Sequence, residues 1–152
     1  MICPPCAFQK VQAKTGGRCG ATRLNFSENW RGCSRVLPLL HCHSEHGHLL
    51  VAAYSIQRPD QQWSLLLVNK DPVSAHVLTV VFSNSSDHST HYFQGTVKQV
   101  TFGSGEYAWH ANGQNGYASP DGPAKKSDQS GGKGVQYTLP AASVTVLRGM
   151  VQ

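Results

Sequence analysis

From Leu49 onward the chain alternates apolar and polar positions in short runs separated by turn residues. In the first run, Leu49–Gln57, Leu50, Ala52, Tyr54 and Ile56 share one face, and Arg58-Pro59-Asp60-Gln61-Gln62 supplies the turn that ends it. The next run, Trp63–Asn69, places Trp63, Leu65 and Leu67 on one face and Leu66 and Val68 on the other, the pattern of a central strand covered on both sides. Lys70-Asp71-Pro72 turns the chain, after which residues 76–83 set Leu78, Val80 and Phe82 opposite Val77, Thr79 and Val81. Further strands are expected at residues 91–94, 96–102, 135–139 and 143–148, punctuated by Gly95, Gly103 and Pro140. About seven strands with no helical stretch between them predict an all-β fold, an antiparallel β-sandwich with Greek-key connections. Residues 110–134, which hold six glycines and two prolines, are expected to form one long loop that is functional, packed on a neighbour or mobile.

Residues 1–46 show no sustained period of 2 or 3.6 and are expected to be an irregular extension in front of a sandwich domain spanning residues 47–152. Composition marks the same boundary. The chain has 152 residues and a formal charge of +5. Six basic residues against Glu28 and Glu45 give +4 before Leu49, and seven against six acids give +1 after it. All five cysteines lie at or before Cys42. The start Met1-Ile2-Cys3-Pro4-Pro5-Cys6 lacks the basic and apolar regions of a signal peptide. A complete (β/α)₈ enzyme needs roughly 250 residues and is excluded. No apolar stretch approaches the ~20 residues that cross a bilayer, and no membrane partner is expected.

Candidate chemistry narrows the picture further. Cys3-x-x-Cys6 has the spacing of half a zinc site; Cys19 and Cys33 stand singly, and the cluster His41, Cys42, His43, His46 and His48 could supply further ligands, in no standard finger spacing. The basic residues before Leu49 are dispersed singly, the strand region is nearly neutral and no aromatic-plus-basic strand motif is present, so no nucleic-acid partner is expected. Glycosidic catalysis needs two carboxylates across a cleft. Asp60, Asp71 and Asp121 instead sit in turns, where a short acceptor satisfies backbone donors, and Glu106 beside Tyr107 and Trp109 is a single acid. Neither catalytic residues nor a cofactor is therefore expected. Trp63 alternates with leucines and is expected in the core. Tyr107, Trp109 and Tyr117 surround the long loop and are candidate contacts to carbohydrate or to a neighbouring domain.

Several segments carry a resemblance. Residues 54–60, Tyr-Ser-Ile-Gln-Arg-Pro-Asp, and 63–71, Trp-Ser-Leu-Leu-Leu-Val-Asn-Lys-Asp, come first, followed by Phe102-Gly103-Ser104, Tyr107-Ala108-Trp109 and residues 118–123. With the closing run from Tyr137-Thr138-Leu139-Pro140 to Gly149, they resemble the C-terminal β-sandwich of bacterial clan-A glycoside hydrolases, the xylosidase and arabinofuranosidase kind, over about residues 47–150. In such enzymes the sandwich packs against a catalytic (β/α)₈ barrel that carries the acid and the nucleophile, and no residue here matches either. The resemblance thus implies a non-catalytic accessory domain whose partner is a barrel absent from this chain, from a parent enzyme that is secreted or periplasmic. A free-standing carbohydrate-binding module, with polysaccharide as partner, is the alternative reading; a small zinc-binding protein is the second. The segment before residue 47 departs from the resemblance and is expected to be out of frame or truncated. Removing residues 1–44 is then expected to leave the cooperative unfolding transition largely intact.

Overall fold

The computed structural model describes residues 9–15, 37–43, 49–84 and 89–152. The described residues form strands and turns, without a helix, and build an antiparallel all-β sandwich. Its strands are β1 (Gln9–Thr15), β2 (Leu37–His43), β3 (Leu49–Gln57), β4 (Trp63–Asn69), β5 (His76–Asn84), β6 (Thr90–His91), β7 (Phe93–Phe102), β8 (Tyr107–His110), β9 (Tyr117–Asp121), β10 (Lys125–Ser130), β11 (Gln136–Leu139) and β12 (Ser143–Val151).

The larger sheet runs β10-β7-β12-β4-β3-β2. The smaller centres on β5, which β1 covers along one edge while β11 and the short β6 share the other. Strands β8 and β9 form a separate hairpin. Alternation explains the layering. Val51, Ala53, Leu65, Leu67, Phe93, Val97 and Leu147 of the larger sheet meet Leu78, Val80, Phe82, Tyr137 and Leu139 of the smaller in one buried cluster. Aromatic rings stitch the two layers. Phe82 lies 5.5 Å from Trp63 and 5.1 Å from Phe93, and Phe93 lies 6.3 Å from Tyr137. Trp63 is thus placed against the core, as its alternation with leucines implies.

Strands β3 and β4 have the bounds the sequence predicts. Elsewhere the chain is more regular than expected. Residues 91–94 and 96–102 were expected as two strands divided by Gly95, but β7 continues through that position because Gly95 adopts φ +65°, open to a residue without Cβ. The irregularity appears instead in pairing, where the register of β12 on β7 shifts between Arg148 and Met150. The expected loop 110–134 is also corrected, since the β8–β9 hairpin and strand β10 occupy most of it. Strand β10, Lys-Lys-Ser-Asp-Gln-Ser, contains no apolar residue, and its pairing with β7 rests on backbone bonds and the Lys98–Asp128 contact at 2.7 Å.

Two strands fall within the segment expected to be irregular. Strand β1 pairs with β5 over Gln9↔Asn84 to Thr15↔Leu78, and β2 pairs with β3. Along those two stretches the extension is regular and joins the sheets.

Candidate functional site

The sandwich has two outer faces, one on each sheet. On the smaller sheet, Val77, Thr79 and Val81 are flanked by Gln136 and Thr138 across the β5–β11 ladder. The larger sheet presents mostly apolar rows. Register sets Phe102, Val144, Val68 and Ala52 side by side across β7, β12, β4 and β3. In the next row stand Val100, Val146, Leu66 and Tyr54. A third row, Lys98, Arg148, Ser64 and Ile56, turns polar. Among these, Leu66, Val144 and Phe102 are 37%, 39% and 40% exposed. The sequence reads β4 as covered on both sides. It is central, yet among the described residues only its inner face is covered by a second layer. Water-facing sheet surfaces ordinarily carry polar side chains at these positions, so the apolar rows require a physical reason.

One end of the face is bounded by charge. Arg148 donates from Nε to Gln62 Oε1 at 2.8 Å and from a terminal nitrogen to Asp60 Oδ2 at 2.9 Å. Asp60 also accepts from the Gln62 backbone N–H at 3.2 Å and from Arg58 at 3.3 Å. Partial desolvation pushes the Asp60 carboxyl up, but the Gln62 N–H and the two guanidinium groups outweigh it and hold it below the ordinary aspartate range. The other end opens into a shallow depression of about 430 Å³ where Val68, Phe102, Val144 and Tyr107 meet the polar residues Lys70 and Ser104.

The three sequence-selected aromatics do not share a surface. Tyr107 leans on Phe102, ring centroids 6.0 Å apart, and belongs to the apolar face. Trp109 and Tyr117 lie in the hairpin, where Trp109 pairs with Ala118 and His110 with Tyr117. Paired residues project to the same side and neighbours alternate, so Trp109 and Tyr117 project to opposite sides. Trp109 is 59% exposed and Tyr117 55%. The Tyr117 ring stacks on His110 at 5.0 Å, and His110 Nε2–H donates to the Ser119 carbonyl at 2.9 Å.

The carboxylates are occupied structurally, as the turn chemistry implies. Glu106 Oε2 accepts from the Gly103 N–H at 3.0 Å, closing the turn before β8. Asp71 accepts from the N–H groups of Val73 and Ser74, both at 2.9 Å, and faces His76 Nε2 at 3.1 Å. The N–H groups of Val73 and Ser74 hold the Asp71 carboxyl below the usual range; partial desolvation opposes them and His76 adds to them.

Cys3 and Cys6 lie outside the described residues, as do His46 and His48, while His41, Cys42 and His43 fall on β2. Among the described residues no group of three or more His, Cys, Asp or Glu could hold a metal ion. Sequence reasoning selected Tyr107 but not the apolar rows beside it. The signal was present in the two-faced apolar pattern of β4. Comparison of the chain with protein-family models, curated proteins and solved structures finds no match.

Proposed function

We propose that this protein is a non-catalytic accessory β-sandwich that packs the apolar outer face of its larger sheet against the catalytic (β/α)₈ barrel of a glycoside hydrolase. The observation that carries the reading is the pair of apolar rows across β7, β12, β4 and β3, in which Leu66, Phe102 and Val144 are exposed, on a sheet whose central strand has the composition of one buried on both sides. A barrel surrounded by amphipathic helices offers a complementary apolar surface once its polar cover is locally absent. The Arg148–Asp60–Arg58 cluster at one end supplies the polar rim such an interface needs. The resemblance of residues 47–150 to the sandwiches of xylosidases and arabinofuranosidases selects the barrel over other partners. The chain's part is to support the barrel. Asp60, Asp71 and Glu106 are committed to backbone donors or cations and are not arranged for acid–base work.

The test is reconstitution. A xylosidase or arabinofuranosidase barrel deprived of its own sandwich is co-expressed with this chain, and the barrel's thermal midpoint is measured. The expected result is a higher midpoint with the wild-type chain and none of that gain with Leu66→Asp/Val144→Asp. A barrel whose midpoint ignores the wild-type chain, with both proteins sedimenting separately, refutes the reading. Both side chains are more than half covered by their sheet neighbours, so the double variant is expected to lose about 2–3 kcal/mol of its own stability, and its fold is verified by circular dichroism before the comparison.

A further inference from the structure

We propose that the β8–β9 hairpin is a second contact site, for a neutral glycan, in which Trp109 stacks on a sugar ring and the amides of the hairpin tip bond its hydroxyls. This site is distinct from the sheet face and stands whether or not that face docks a barrel.

Its geometry is built around Gly116. A Cβ at that position would lie 2.3 Å from Cζ2 of Trp109, 3.0 Å from Cε2 and 3.1 Å from Cη2, so the six-membered ring of the indole rests directly on the Gly116 backbone. The glycine is therefore a seat that fixes the ring, and the 59% exposure of Trp109 leaves the remaining surface to solvent. A large aromatic plane already held in place loses little entropy when a ligand covers it.

The tip supplies the polar half. Asn115 N–H donates to the Asn112 carbonyl at 2.9 Å and closes the turn by backbone alone. The exposed side-chain amides of Asn112, Gln114 and Asn115 make no hydrogen bond among the described residues. An amide offers both a donor and an acceptor, as a sugar hydroxyl requires.

Chemistry chooses a glycan over a protein. Residues 107–123 contain no Leu, Ile, Val, Met or Phe, and Asp121 is their only formally charged side chain. Trp and Tyr anchor protein contacts as well, but there they sit within a wider apolar patch, and here Trp109 has no aliphatic neighbour larger than alanine or proline in the hairpin. The absence of a cation in the same stretch leaves an acidic sugar without a counter-charge. What remains suits a neutral pyranose that presents C–H bonds on one ring face and hydroxyls at its rim.

The full chain is titrated with xylohexaose and with cellohexaose, followed by calorimetry and by tryptophan fluorescence. Saturable binding is expected for at least one of them, weakened about tenfold or more by Trp109→Ala and also weakened by Gly116→Ala, whose methyl displaces the ring. Both variants should retain the wild-type unfolding midpoint, and Leu66→Asp/Val144→Asp should bind glycan normally, which separates this site from the docking face. Silence toward both oligosaccharides at millimolar concentration overturns the proposal, as does binding indifferent to Trp109→Ala. Loss of barrel association in Trp109→Ala, with glycan binding absent, would make the hairpin a protein contact and overturn it equally.

Discussion

Asn69 donates from its side-chain amide to the carbonyl of Pro140 at 2.7 Å, across 71 residues of sequence. The same amide donates to Ser74 O at 3.0 Å, while its oxygen accepts the Asp71 N–H at 3.0 Å. The Asn-Lys-Asp turn and the Leu-Pro turn are thus one joint. Ala142 N–H to Asp71 O at 2.7 Å and Ser143 Oγ–H to Pro140 O at 2.6 Å complete it.

Asn69 is 2% exposed and its amide also reaches the buried Leu139 carbonyl at 3.4 Å, whereas Ser74 and Pro140 are exposed residues whose carbonyls water can serve. Asn69→Ala should destabilise the fold by about 2 kcal/mol, from the lost bonds and the buried space the side chain leaves. Urea unfolding measures it as a lowered midpoint with little change of slope.

Phe82 holds the layers together from the other side. It is fully buried and contacts rings of the opposite sheet at two points. Phe82→Ala should cost about 3–5 kcal/mol, whereas Phe82→Leu, which keeps most of the volume, should cost clearly less. Equal losses in the two variants would show that volume is not what the site needs.

Acid should loosen the joint through Asp71. A carboxyl whose folded pKa is lowered adds stability that is present above the unfolded value of about 3.9 and is lost as pH falls through the lower folded value. Asp71→Asn should therefore be less stable than wild type at pH 7, and the gap between the two should close as pH drops below about 3.9. Thermal midpoints recorded from pH 7 to pH 2 test this, and a gap that stays constant would assign the effect to something other than ionisation.

The extension raises a separate point. Residues between Val51 and Leu147 bring side chains of both sheets into one buried apolar cluster, so deleting residues 1–44 should preserve a cooperative transition. It should also uncover the edges of β5 and β3 that β1 and β2 now pair. Sedimentation velocity should then show association that rises with protein concentration, absent in the full chain.

Legibility followed the physics of burial. Strands β3 and β4 were readable because Val51, Ala53, Leu65 and Leu67 face the core and must be apolar. Strand β10 was not, because an all-polar edge strand is specified by its neighbour's backbone rather than by its own side chains. Strand β1 carries only a faint alternation, Val11 and Ala13 between Lys10, Gln12 and Lys14. Gly95 reads as a stop, although a positive φ lets the strand continue. At the candidate site, the aromatic identities of Tyr107, Trp109 and Tyr117 were visible, but their separation was not. The register of the hairpin decides that, with its shift between Tyr107 and Trp109.

The polar strand β10 has one more effect. A sheet can gain a neighbour by adding a strand at its rim or by being covered on its surface, and the two routes lead to different products. Lys125, Lys126 and Asp128 give the β10 rim a hydrated, charged margin that discourages further strands from that side. From this rim a partner drawn by the apolar rows is steered to the flat of the sheet, where one partner fills the surface and growth ends. The strand least visible in the sequence thereby biases the molecule toward a finite complex and away from a fibre.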